Sequence, residues 1–298
     1  MVCDRVIRFA RLLAVEGIQR SKLLLYRLRL YVGGQISCLI GSILVGWLRN
    51  EFGNRPVPIA RLIQIRHHLS FFGPRNPYRM VFHHSVQLGE RLNNQFLSTH
   101  LASMELGKWS LTVDTINYLE KHIFVQRPNL VLEFGSGIST VCLARFMLEI
   151  HKDPSRVYVI SIEQDASYVT QTEALLASLG LGHNARVIEG KVEPFLIEGY
   201  SGMSYSLPDD FHQIVLQNRC PDFVLVDGPK ALNHGRFATL PMVRPFLSDK
   251  ARFFLDDALR ADELDIAERW AKLPYIHIDG IVLVGKGLLT GIVEQGTG

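Results

Sequence analysis

Four short stretches of this chain place chemistry-bearing residues at the ends of apolar runs. LVLEF (130–134) runs into Gly135-Ser136-Gly137, and a helical pattern, STVCLARFMLEI, begins at Ser139. A strand, a Gly-rich turn and a helix N-terminus form a cradle, because glycines let backbone approach a ligand and the free N–H groups accept negative charge or hydroxyls. VYVISIEQD (157–165) carries Glu163 at its tip. In a doubly wound sheet that position lies beside the first turn, placed to accept both hydroxyls of a ribose. PDFVLVDGPK (221–230) runs into Asp227-Gly228-Pro229-Lys230, and ARFFLDDALR (251–260) ends in Asp256-Asp257.

The first turn chooses between nucleotide ligands. A dinucleotide fingerprint GxGxxG wants Gly or Ala three residues after its second glycine, where this chain has Thr140, and Glu133 stands two residues before the first glycine. Both details count against a nicotinamide cofactor. An acidic residue at the end of the first strand followed by GxG is the pattern of S-adenosylmethionine binding.

On LEFGSGIST (132–140), ISIEQD (160–165), LVDGPK (225–230) and FFLDDA (253–258), residues 110 to 298 resemble the class I S-adenosylmethionine-dependent methyltransferases. The resemblance implies an α/β fold, a doubly wound, mostly parallel seven-stranded Rossmann-like sheet. It also implies a cofactor site on Glu133, Gly135, Ser136, Gly137, Ser139, Glu163, Gln164 and Asp227. Within the class, Asp-x-x-Lys after the fourth strand and an acidic pair after the fifth look like the metal-dependent catechol and caffeoyl-coenzyme A O-methyltransferases. Asp-Asp in place of their Asp-Asn is closer to the macrocin-type sugar O-methyltransferases. Residues 1 to about 109 carry no such resemblance.

Methyl transfer from a sulfonium is an in-line displacement, so the protein must align donor and acceptor and leave the acceptor oxygen deprotonated. Asp227, Asp256 and Asp257 fall at the carboxyl ends of neighbouring strands, where three carboxylates can hold one Mg²⁺. Lys230, beside that cation, is the candidate base, with Asp227 as its catalytic neighbour. A plainer reading stands beside this one: Asp256-Asp257 as a helix cap, DGPK as a tight turn, and no metal. His234 and Arg236 are either contacts to an anionic or sugar acceptor or exposed loop residues. The expected activity is methylation of a hydroxyl on a small molecule or sugar; a membrane-associated S-adenosylmethionine-binding pseudoenzyme and a nucleic-acid methyltransferase are the alternatives. The last lacks a basic, aromatic stacking module.

The elements that must position these residues alternate as a parallel sheet requires. A helix is expected over 110–124, a third strand over 185–190, a helix over 261–272, and a closing hairpin of YIHID and IVLVG separated by Gly280. The whole is 298 residues, 47% hydrophobic and 20% charged, which argues against disorder and long coiled coils. Cys3, Cys38, Cys142 and Cys220 are scattered, so no zinc knuckle or disulfide framework is legible and a reducing, cytoplasmic-side setting is the default.

The charge is split. Residues 1–125 hold 16 Lys+Arg against 7 Asp+Glu, whereas 126–298 hold 16 against 22, a net of +9 followed by −6. Residues 1–29 read as a basic amphipathic helix, and Leu30 to Leu48 is a run of 19 residues without a charge. That run can span a bilayer, lie at its surface beside anionic lipid, or form a buried hairpin; a secretory signal fits less well. The expected division is therefore 1–50 as a membrane-associated helical segment, 51–109 as accessory helices and loops capping the acceptor, and 110–298 as the methyltransferase domain. His67-His68 and His83-His84 read as surface or pocket-lining histidines rather than metal ligands, and RNPYR (75–79), which lacks a second proline and precedes every strand signal, as a coincidental likeness to an NPPY-type motif.

Overall fold

Strands covered on both faces can be apolar at every position, and the runs that carry the candidate residues are of this kind. In a computed structural model of the chain, VLEF (Val131–Phe134, β1), VISIE (Val159–Glu163, β2) and FVLV (Phe223–Val226, β6) are buried throughout. The structure describes residues 43–44, 46–69, 91–102, 110–208, 211, 213, 219–230 and 234–295. The remaining strands are β3 (Ala185–Glu189), β4 (Val192–Ile197), β5 (Tyr200–Tyr205), β7 (Ala251–Leu255), β8 (Ile276–Val282) and β9 (Leu288–Val293). The helices are α1 (Ile59–Leu69), α2 (Gln95–His100), α3 (Val113–Gln126), α4 (Ile138–His151), α5 (Ala166–Ser178), α6 (Thr239–Val243) and α7 (Ala261–Trp270).

Seven strands form one sheet in the order β3-β2-β1-β6-β7-β9-β8. β3, β2, β1, β6 and β7 run parallel, while β9 is antiparallel to both β7 and β8. The chain builds outward from β1 to β3 and then returns to lay β6 against the other side of β1. Such a reversal opens a crevice at the carboxyl ends of β1 and β6, the place where ligands bind in open α/β sheets. This is the expected Rossmann-like methyltransferase fold.

Alternate side chains sort to the two faces, as the strand period of two demands. Leu132, Phe134, Val224, Val226, Phe253 and Leu255 face Trp270 of α7 and Leu240 of α6. Val131, Val159, Phe223, Leu225 and Phe254 face Ile116 and Leu119 of α3 and Phe146 of α4.

The segment before the sheet joins the first of these cores. Leu48, Val57 and Leu62 are wholly buried in it, and Leu44 and Trp47 pack beside them. Val57 exchanges backbone hydrogen bonds of 2.8 and 2.9 Å with Ile281 of β8, and Arg66 of α1 donates to Asp265 of α7. The C-terminal end of the uncharged run is thus packed on the protein. The basic amphipathic stretch, most of the uncharged run, His83-His84 and RNPYR lie outside the described residues. No helix among the described residues is long and apolar enough to cross a membrane.

One expectation is corrected. Gly280 does not separate two strands: it lies inside β8, at a bulge between Ile278 and Gly280, and the closing hairpin pairs β8 with β9. A second sheet, β4 with β5, was not anticipated. Its strands are joined by Glu198-Gly199 with φ of 52° and 76°, the two positive values that a two-residue hairpin turn of type I′ requires. Phe195 and Tyr200 of this hairpin lie against Phe237, with ring centroids 6.2 and 4.7 Å away, and Tyr275 donates a 2.7 Å hydrogen bond to Glu198.

β9 sits closely between its neighbours because Gly291 has no side chain. A Cβ there would run into the carbonyl oxygen of His277 and stand 2.7 Å from the Phe253 ring. Gly291→Ala is therefore expected to cost about 3 kcal/mol, an overpacking cost at the upper end of the usual range. Thermal melts should show a fall of roughly 6–12 °C.

Candidate functional site

β1 delivers Glu133, fully buried, to the base of the Gly-rich turn. Thr140, in the first turn of α4, donates 2.6 Å to Glu133 Oε2 and accepts 3.1 Å from the Gly137 amide. The residue that spoiled the dinucleotide fingerprint is thus the one that fixes both the carboxylate and the turn. Glu133 Oε1 has no geometric hydrogen-bond partner among the described residues. Burial pushes the Glu133 carboxyl up to about 7; hydrogen bonds from Ser139 and Thr140 oppose this, and the charge of Asp227 adds to it.

The turn itself demands glycine. Gly135 and Gly137 have φ of 102° and 137°, values that side chains rarely tolerate. A Cβ on Gly135 would also lie 3.4 Å from the Gly228 nitrogen, so β1 and β6 present their ends in close contact. The first amides of α4 stand at the turn without intrahelical acceptors, as at any helix start.

β2 delivers Glu163 to the same place. Its Oε2 accepts 2.8 Å from the Ser136 amide and its Oε1 accepts 3.0 Å from the Asp165 amide. Gln164, next along, accepts 2.8 Å from the Lys230 amide, joining the tip of β2 to the DGPK turn. The structure therefore gathers Glu133, Gly135, Ser136, Gly137, Ser139, Glu163, Gln164 and Asp227 around one crevice. Lys230 is exposed at its rim. Tyr205 was not foreseen: it stacks on Phe134 at 5.8 Å, and its hydroxyl lies 2.7 Å from where a Cβ on Gly228 would be.

Asp227, Asp256 and Asp257 come together as expected, with carboxylate oxygens within 4.8 Å of one another. Neither member of the pair caps a helix; Arg260 holds the N-cap position of α7. Arg236 occupies the cluster. It is not an exposed loop residue but is buried, with 8% of its surface exposed. Its Nη2 donates 2.6 Å to the Asp227 carbonyl and 3.3 Å to Asp227 Oδ1, and its Nη1 donates 3.0 Å to the Asp256 carbonyl. Nη2 is also 3.6 Å from Asp257 Oδ2, and Nη1 is 3.7 Å from Glu263. Arg260 and Lys286 reach Asp257 at 2.6 and 3.6 Å. His234 turns away, 3.6 Å from Asp265.

Burial raises Asp256 well above the carboxylate range, and the charges of Asp257 and Asp227 add to the shift. Burial likewise raises Asp227, against the pull of Arg236. For Arg236, burial disfavours the charge, but Asp227, Glu263 and Asp257 outweigh it and hold the guanidinium protonated. Four carboxyl groups, Asp227, Asp256, Asp257 and Glu263, face the three cations Arg236, Arg260 and Lys286.

The donor set does not fit a divalent ion. Mg²⁺ needs oxygens at about 2.1 Å in an octahedron, and two of these carboxylates, Asp227 and Asp257, already share a fixed guanidinium. A unit positive charge about 4 Å from a divalent ion offsets the attraction of the carboxylates by roughly 8 kcal/mol at an effective dielectric of about 20.

The pH response of the crevice follows from Glu133. A cationic ligand group that favours its ionised form lowers its pKa, so binding releases a proton. Affinity for an ammonium-bearing ligand should rise with pH up to about 7, the ligand-free value of Glu133, and level off above it. Calorimetry at about pH 6 in two buffers of different ionisation enthalpy checks the sign; proton uptake would contradict it.

No family model matches the chain, and no curated protein matches it. Among solved structures, the cofactor-bound protein Rv0187 from MTB is similar at 18% identity and a TM-score of 0.50, covering 73% of this chain and 98% of that one. An O-methyltransferase from Bacillus cereus in complex with SAH has 15% identity and a TM-score of 0.49, covering 79% and 100%. The O-methyltransferase TomG from Streptomyces achromogenes, in complex with SAM, has 16% identity and a TM-score of 0.46, covering 67% and 90%. At these identities the likeness is one of fold.

Proposed function

We propose that the chain is an S-adenosylmethionine-dependent methyltransferase whose acceptor is a hydroxyl oxygen of a small molecule or sugar. The observation that carries this reading is the junction of β1 and β2. The Glu163 carboxylate is clamped to the Gly-rich turn by the Ser136 amide, near a buried Glu133 oxygen that has no hydrogen-bond partner among the described residues. An adenosyl sulfonium with an amino-acid tail supplies groups that match: an ammonium for Glu133, ribose hydroxyls for Glu163, and a carboxylate for the amides at the start of α4. When bound, the donor supplies an electrophilic methyl group.

The chain's own work is then placement and proton removal. Glu163 and the turn fix the donor end, so that an acceptor entering beside Asp227 and Lys230 meets the methyl in line. Lys230 takes the hydroxyl proton from the rim of the crevice. Its backbone is held by Gln164, which keeps the side-chain amine, the form that can accept a proton, at the junction of donor and acceptor. Asp227, tied to Arg236, positions the turn that carries Lys230.

Incubation with methyl-labelled S-adenosylmethionine and a panel of hydroxyl-bearing small molecules tests the reading. Label is expected in an ether-linked methyl with equimolar S-adenosylhomocysteine; label found only on nitrogen or sulfur acceptors would overturn the hydroxyl assignment. Lys230→Met should lower kcat by about 100-fold near pH 7, within the usual range for a lost general base. The deficit should shrink as pH rises and the acceptor ionises unaided. A pH-independent deficit would mean that Lys230 only positions.

A further inference from the structure

We propose that Arg236 is a resident cation standing where a divalent metal would otherwise join Asp227, Asp256 and Asp257, so that this site operates without one. The statement about metal binding is independent of the activity; the statement about turnover rests on the methyltransferase reading above.

The argument is geometric. The guanidinium lies between the ends of β6 and β7 and donates to a backbone carbonyl on each, Asp227 at 2.6 Å and Asp256 at 3.0 Å. It touches two of the three carboxylates from the same nitrogen, at 3.3 and 3.6 Å. A planar fork with several fixed donors does in one residue what a metal does with several ligands: it draws strand ends together and neutralises convergent carboxylates.

Nor can the side chain swing aside freely. Arg236 is buried, its own carbonyl accepts 2.8 Å from the Thr239 hydroxyl, and the carbonyl of the following residue, Phe237, accepts 2.9 Å from the Trp270 indole. Displacing the guanidinium would strip two backbone carbonyls of their donor. Arg260 and Lys286 add positive charge at Asp257, at 2.6 and 3.6 Å. A divalent ion entering here would meet three cations already in place.

The full-length protein, stripped with chelator and free of methyl donor, is titrated with Mn²⁺ alone and followed by electron paramagnetic resonance. Wild type is expected to show no stoichiometric site. Arg236→Ala vacates the guanidinium's place and should bind one Mn²⁺ roughly 100-fold more tightly than wild type, with a Tm that rises on adding Mn²⁺. A micromolar Mn²⁺ site in the wild type, lost in Asp257→Asn, overturns the proposal whether or not the Arg236 variant folds. A folded Arg236→Ala that binds Mn²⁺ no better than wild type overturns the idea that the guanidinium stands in for a metal. Turnover should be unchanged by excess chelator, and its loss there would count against the proposal. Absence of turnover in every condition would sink the methyltransferase reading, while the Mn²⁺ titration still decides this one.

Discussion

Arg236→Met is expected to destabilise the protein by about 3–5 kcal/mol at pH 8, the cost of stripping a buried carboxylate group of its cation. For a chain of this size that is a fall in Tm of roughly 6–15 °C. Methionine keeps most of the side-chain volume, so the loss reports charge rather than packing. Without the guanidinium, Asp227, Asp256 and Glu263, whose carboxyls burial already raises, are raised further. A carboxyl whose pKa is higher folded than unfolded binds more protons in the folded state, so stability falls as pH rises through that interval. The gap between variant and wild type should therefore be widest near pH 8 and narrow towards about pH 5.5. Melts at the two pH values check this; an equal deficit at both would mean that Arg236 contributes shape and not charge.

Glu163→Ala is expected to weaken S-adenosylmethionine binding by about 100-fold or more. Its carboxylate would lose two hydrogen bonds to ribose hydroxyls, each worth about 1.5–3 kcal/mol when charge-assisted. A loss of roughly 3 kcal/mol corresponds to that ratio of dissociation constants. The turn suffers as well, because the Ser136 and Asp165 amides lose their acceptor. Glu163→Gln retains one carbonyl oxygen and should fall between the two, near a tenfold loss. A dissociation constant for Glu163→Ala within threefold of wild type would place the ribose elsewhere.

The donor side of the crevice was legible because its logic is local. Glu133 and Gly135 through Ser139 lie in one strand-turn-helix segment, and Glu163 is the last residue of the next strand. Each position follows from where an apolar run stops. Asp227 and the Asp256-Asp257 pair were readable as strand ends for the same reason.

Arg236 was not legible, since nothing in the order of residues 234 to 239 says that a polar loop folds inward to meet β6 and β7. Its partners Glu263 and Lys286 come from elements further along the chain, and convergence of that kind has no periodicity. The β4–β5 hairpin leaves only a weak trace in the sequence. Glu198-Gly199 between aromatic-bearing runs is a turn signal, but Pro194 within the first run demotes it as a strand. Pro194 is tolerated because, among the described residues, β4 pairs only with β5. With the hairpin unseen, Tyr205 could not be placed beside Gly228. Gly280 misled in the opposite direction: a glycine between two apolar runs reads as a turn, yet here its φ of 138° serves a bulge within one strand.

The account's central claim is that the crevice at the ends of β1, β2 and β6 holds an S-adenosyl ligand. Isothermal titration of the wild-type protein with S-adenosylhomocysteine, in two buffers at about pH 6, tests it most directly. The account predicts one site per chain, release of a proton on binding, and loss of the heat in Glu163→Ala. Absence of heat with S-adenosylhomocysteine and with S-adenosylmethionine, or saturable binding of a nicotinamide dinucleotide in their place, would contradict it.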